Sequence, residues 1–203
     1  MSTSVFFIGG YQARPEHIDK WVKSAQVLKP SVAFRAFPWP VKSSGKDVTS
    51  WPPEDIVQGW KDTKRYQPVV DAVKACKADK IYIVGHSSGC AVSNAVDDEL
   101  NDPKRIVLVA LDGVTPDDAY NRPDLRMWAA ENGLHQSRNF PGMKAAAREK
   151  LKVHTAKAGC TTIWALHFSL VNANATDKLL NDDALKNGYN DCEANLAWLE
   201  LVV

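Results

Sequence analysis

Short, almost unbroken apolar runs alternate along this chain with longer stretches in which apolar residues return every third or fourth position. Ser4 to Ile8 (Ser-Val-Phe-Phe-Ile) reads as a strand, stopped by Gly9-Gly10. Glu16 to Leu28 follows as a helix, with Ile18, Trp21, Val22, Ala25 and Leu28 on one stripe. Pro15 falls in its first turn, where the missing N–H would have no partner anyway. Val32 to Phe37 is a second strand, ended by Pro38-Trp39-Pro40, and the Ser-, Pro-, Gly- and Trp-rich stretch to about Pro53 reads as a loop. Part of Pro53 to Trp60 is expected to be helical, and Tyr66 to Cys76 carries Val69, Val70, Val73 and Cys76 on one helical face.

Ile81 to Val84 is a short buried strand and Ser88 to Leu100 a helix rich in small residues. Arg105 to Leu111 (Arg-Ile-Val-Leu-Val-Ala-Leu) is the clearest buried strand in the chain. A polar, partly helical interval from Pro116 to Lys150 follows, then strands at Leu151 to Thr155 and Thr161 to Leu166, and a helix near Asp191 to Leu201. Strands that are apolar on both faces, alternating with helices, predict an α/β fold: a mainly parallel sheet of about six strands with helices on both faces. With no internal repeat, low-complexity tract or linker, one domain is expected over residues 1–203.

Composition narrows this picture. The 203 residues, 45% hydrophobic and 24% charged, can bury a full core without disulfides or metals. A net charge of +1 with no clustered Lys or Arg argues against a nucleic-acid partner, which needs many phosphate contacts. The N-terminal residues lack the positive region of a signal peptide, and no apolar stretch approaches the roughly twenty residues that cross a bilayer. The expectation is a cytoplasmic protein without stable membrane insertion. Cys76, Cys90, Cys160 and Cys192 form no CxxC pair, so they are expected as reduced thiols, with no metal site.

The chemistry gathers at Gly85-His86-Ser87-Ser88-Gly89. A G-x-S-x-G match is weak alone, but this one follows a buried strand and opens a helix, the setting of a nucleophile elbow. The turn holds Ser87 in a strained conformation, and a side chain at either glycine would strike the neighbouring strand or helix. Ala91 and Ala95 let the helix lie close to the sheet, and its N-terminus aims free N–H groups and a positive dipole end at the serine. The bland alternative is a plain tight turn with a buried serine.

A serine hydroxyl needs a base to take its proton and a third group to orient that base. His167 stands at the end of the last expected strand, where reacting groups collect in open α/β sheets. It also follows the serine in the order Ser, acid, His. His154 is the main alternative; His86 is placed to pack or shape the turn, while His17 lies on the first helix and His135 in the polar interval. For the acid, Asp112 ends the strand after the elbow, with Asp117 and Asp118 as rivals. The oxyanion donors expected are the N–H of Ser88 and one from the loop after the first strand, Tyr11 first and Gly10 second.

Together the loop at Gly9-Gly10, the elbow at Ser87, Asp112 and a late His167 resemble the α/β-hydrolase superfamily, in particular its compact esterase and lipase-like members. The resemblance spans nearly the whole chain as an order of elements and is specific in motif only at the elbow. The chain departs from the common pattern in starting at the strand that carries the oxyanion loop, and in placing the acid one strand earlier than most members. The resemblance implies a serine hydrolase that acts on a small-molecule carboxylic ester with no cofactor. An acyltransferase or thioesterase using the same serine, or a non-catalytic binding protein on this scaffold, are the alternatives. Trp39, Trp51 and Trp60 are expected in an acyl pocket or in the core. Residues 116–150, with Met127, Trp128, Leu134, Phe140 and Met143, are expected as a small lid or a crossover.

Overall fold

The first apolar run forms β1 (Thr3–Ile8), whose side chains from Val5 to Ile8 are all buried. The computed structural model describes residues 1–10, 13–39, 66–113, 126–130, 151–154, 158–180, 188–189 and 193–200. Within these, β1 leads to α1 (Pro15–Leu28), β2 (Ala33–Phe37), α2 (Gln67–Ala75), β3 (Lys80–His86), α3 (Gly89–Leu100) and β4 (Ile106–Leu111). The later elements are β5 (Arg126–Ala130), β6 (Leu151–His154), α4 (Ile163–Ser169) and α5 (Ala197–Glu200).

The strands form one six-stranded sheet in the order β2-β1-β3-β4-β5-β6, and every neighbouring pair runs parallel. Between β2 and β3 the chain reverses its direction of travel across the sheet. With right-handed crossovers, α1 then covers one face and α2 and α3 the other. On the α1 side, Trp21 stacks on Phe7 at 4.3 Å between ring centres and meets Phe34 edge-on at 5.9 Å. The reversal leaves a crevice beyond the carboxyl ends of β1 and β3, where such sheets bind their ligands. The register Ile8↔Gly85 and His86↔Leu111 brings the ends of β1, β3 and β4 level there.

Three expectations are corrected. Thr161 to Leu166 is not a strand: Thr162 caps α4, accepting the N–H of Ala165, and the helix runs to Ser169. An apolar run this short fits either state, and α4 is decided by its cap. Part of the interval 116–150 is the strand β5, whose run Arg-Met-Trp-Ala-Ala lacks any β-branched residue and fills the place between β4 and β6. Met127 and Trp128 are therefore buried sheet residues and not part of a lid; Leu134, Phe140 and Met143 lie outside the described residues. The expected closing helix is reduced to α5, because Ala194 instead bridges Asn172. The expected helix in 53–60 lies outside the described residues. Among the described residues no helix is long and apolar enough to cross a membrane.

Candidate active site

The strand β3 delivers Ser87 to the mouth of the crevice. Ser87 has φ +55°, a left-handed conformation that costs a non-glycine residue free energy. It is held there from both sides: its N–H donates to the Leu111 carbonyl (3.0 Å), and its carbonyl accepts the Cys90 N–H (3.1 Å). The flanking glycines are demanded by contact. A Cβ on Gly85 would lie 2.5 Å from Cys90 Cα, and one on Gly89 would lie 2.4 Å from the Ile8 carbonyl oxygen. The N-terminus of α3 thus presses on the end of β1, with Ser88 as its N-cap residue. Cys90 donates its thiol to the Gly85 carbonyl (3.1 Å), and burial pushes that thiol far above the ordinary cysteine range.

Asp112 follows β4 directly and also has positive φ, +45°. Its N–H donates to the Trp128 carbonyl (2.7 Å), extending the sheet ladder by one bond and fixing the turn. The side chain is fully buried and pairs with Nδ1 of His167, itself fully buried on α4. A carboxylate accepts, so in the neutral imidazole this pairing puts the hydrogen on Nδ1 and the lone pair on Nε2. Nε2 has no hydrogen-bond partner among the described residues, so no such bond yet joins it to Ser87. The Trp164 ring stands edge-on to the imidazole at 5.9 Å.

The helix that carries His167 is tied down at its start. The Asp177 carboxylate accepts from the N–H groups of Thr161 and Thr162 (both 2.8 Å) and from their hydroxyls (2.7 and 2.9 Å). These bonds, led by the Thr162 N–H, hold the Asp177 carboxyl well below the usual carboxylate range.

His86, placed by the sequence as a residue that packs or shapes the turn, is fully buried and centred 4.4 Å from the His167 ring. Its Nε2 lies 3.2 Å from the His167 carbonyl and its Nδ1 2.6 Å from the Tyr189 hydroxyl. Burial first, then the neighbouring His167, holds it far below the ordinary histidine range, so it is neutral. Tyr189 was not legible as a site residue: it follows Gly188 in a stretch without periodicity. Its hydroxyl also accepts the N–H of Gly10 (2.6 Å).

That last bond bears on the second choice of oxyanion donor: the Gly10 amide donates to the Tyr189 hydroxyl. Gly10 nevertheless lies against the elbow, since a Cβ there would stand 2.7 Å from Ser87 Cβ and 2.8 Å from the His86 carbonyl. Tyr11, Asp117, Asp118 and His135 lie outside the described residues. His17 accepts the Arg14 N–H (3.4 Å) through Nδ1 at the start of α1. His154 ends β6. Trp39 is in the core, while Trp51 and Trp60 lie outside the described residues. Among the described residues no three His, Cys, Asp or Glu side chains gather as metal ligands would.

The parallel sheet with its switch point, a serine on a strained strand-to-helix turn at that point, and a buried Asp–His pair beside it are the features of the α/β-hydrolase fold. No protein-family model matches the chain, and no curated protein matches its sequence. Among solved structures it is similar to a predicted CIB-like hydrolase from Thermoplasma acidophilum, with 13% identity over 76% of this chain and 75% of that one (TM-score 0.46). It is also similar to the NocB thioesterase domain of the nocardicin cluster, with 10% identity over 94% and 91% of the two chains (TM-score 0.49). A third likeness is to an extracellular α/β-hydrolase from a Paenibacillus species, with 21% identity over 56% of this chain and 41% of that one (TM-score 0.37).

Proposed function

We propose that this chain is a serine hydrolase that cleaves a carboxylic ester through an acyl-enzyme on Ser87. The observation that carries the reading is the buried pair of Asp112 and His167, with His167 Nε2 lacking a hydrogen-bond partner among the described residues, on the same crevice as a serine held at φ +55°. In this reading His167 Nε2 takes the Ser87 proton as Oγ attacks the ester carbonyl. Asp112 keeps the imidazole in the Nδ1–H form and stabilises the imidazolium. The tetrahedral oxyanion is met by the N–H of Ser88, at the opening of α3, and by that of Tyr11. Imidazolium returns its proton to the departing alkoxide. Water then gives its proton to His167 as its oxygen attacks the acyl carbon; the acyl–Oγ bond breaks, the imidazolium returns that proton to Ser87 Oγ, and the acid leaves.

The test is labelling of the purified protein with a fluorophosphonate probe beside Ser87→Ala, with turnover of p-nitrophenyl esters of increasing acyl length. Labelling and turnover that vanish in the variant support the reading. A wild type that neither labels nor turns over ester overturns it. Product analysis with alcohol or thiol acceptors separates hydrolysis from acyl transfer.

A further inference from the structure

The residues around the elbow contain a second polar chain that the acyl-transfer steps leave unused. His86 Nε2 faces a carbonyl, that of His167, so it must be the donor (3.2 Å). Being neutral, the ring then has its lone pair on Nδ1, and the Tyr189 hydroxyl must donate to it (2.6 Å). The same hydroxyl oxygen accepts the Gly10 N–H (2.6 Å). Every hydrogen in the chain Gly10 → Tyr189 → His86 → His167 has one permitted direction.

Both ends of this chain matter to the reaction. Gly10 belongs to the loop after β1, directly against Ser87, and its carbonyl is also held, by the Ala13 N–H (3.0 Å). The His167 carbonyl belongs to the residue whose imidazole is the base. Tyr189 is itself fixed: its ring meets Phe168 edge-on at 5.1 Å, and the carbonyl of Gly188 accepts from the Asn172 side chain (3.0 Å). Gly188 has no room for a side chain, because a Cβ there would lie 2.3 Å from the Phe168 ring. A buried polar network costs more when half-satisfied than when absent altogether, so breaking one of these bonds leaves the others' partners exposed to that cost.

The geometry points to His86 and Tyr189 as positioning residues that lock the oxyanion loop at Gly10 and the base-bearing helix at His167 to each other across Ser87. This rests on the serine hydrolase reading above. In this proposal their part is to set the distance between the reacting groups. A misplacement of about 1 Å in such a site costs on the order of 100-fold in rate.

Tyr189→Phe keeps the ring and removes both hydroxyl bonds. It is expected to lower kcat for a p-nitrophenyl ester about 10- to 100-fold with KM changed by less than about 3-fold, and to slow fluorophosphonate labelling in proportion. His86→Asn, whose amide oxygen replaces Nδ1 as acceptor for Tyr189, is expected to recover part of the rate lost in His86→Ala. Hydrogen exchange of the Gly10 amide reports the bond without reference to activity and is expected to quicken in Tyr189→Phe. Unchanged kcat in a folded Tyr189→Phe, or a Gly10 amide that exchanges as fast in the wild type as in the variant, overturns the proposal while leaving the hydrolase reading intact. If Tyr189→Phe does not fold, His86→Asn matching His86→Ala in kcat overturns it equally. A wild type without labelling or turnover removes the hydrolase reading, and this proposal with it.

Discussion

Gly10 and Ser87 approach so closely that a methyl group on the first would stand 2.7 Å from the Cβ of the second. The loop after β1 and the elbow after β3 therefore pack against each other with no room for a side chain between them. Gly10→Ala must push either the elbow or the Tyr189 hydroxyl aside, since the new carbon also comes within 2.8 Å of the His86 carbonyl. A loss of about 1–3 kcal/mol in urea unfolding is expected, the usual cost of overpacking. Fluorophosphonate labelling should slow with it; wild-type stability in this variant would show that the loop is free to move away.

Ser87→Gly should shift stability in the opposite direction. A left-handed residue other than glycine costs roughly 1–2 kcal/mol, and glycine gives back part of that in chain entropy. A net gain of about 0.5–1 kcal/mol is expected alongside complete loss of ester turnover. Denaturant midpoints for the wild type and the variant test whether the turn stores strain for function.

Asp112→Asn leaves the shape of the site intact but offers His167 an amide in place of a carboxylate. The imidazole then loses the partner that holds its Nδ1–H form, and kcat is expected to fall about 1,000- to 10,000-fold. Steady-state hydrolysis of a p-nitrophenyl ester measures it. A fall under about 10-fold would move the acid role elsewhere.

His86 binds fewer protons folded than unfolded, because burial and His167 hold it far below its ordinary range. Its contribution to stability is therefore complete above about pH 6.5, the unfolded value, and is lost as pH falls below it. The slope from this one group reaches about 1.4 kcal/mol per pH unit. Urea titrations between pH 7 and pH 5 should show a shallower decline in His86→Gln than in the wild type; parallel curves would mean that His86 takes up its proton as readily folded as unfolded.

The Asp177 carboxyl is likewise depressed on folding, here by the bonds from Thr161 and Thr162. Its contribution is present above the unfolded carboxyl value, about 3.9, and fades as pH falls toward the lower folded one. Asp177→Asn should be less stable than the wild type at pH 7, and the difference should narrow at pH 3. The base-bearing helix should loosen with it, seen as lower ester turnover at neutral pH.

The alternation of apolar runs with helical stripes was enough to place β1, α1, β2, α2, β3, α3 and β4 within a residue or two; most of them bury a long apolar face, and β2, where only Phe34 is buried, is marked by the prolines after it. The later part was harder to read. Arg126 to Ala130 has neither length nor β-branched residues to mark it as a strand, and only the open edge of β4 makes it one. Residues 161–166 look like a strand until the Asp177 carboxylate is seen to hold the start of a helix. The pairing of Asp112 with His167 followed from the order of the elements, although His167 sits on a helix rather than at a strand end. Tyr189 could not have been found that way. Its role depends on meeting Gly10 in space, and no local pattern records such a meeting.

The bond between Gly10 and Tyr189 spans 179 positions of the chain. A growing polypeptide that has already built β1 to β4 possesses Ser87 and Asp112, yet neither His167 nor the hydroxyl that fastens the loop beside the serine. That bond cannot form until the chain has been made as far as residue 189. Partly synthesised copies that stop short of residue 167 therefore hold Ser87 without the base proposed for it.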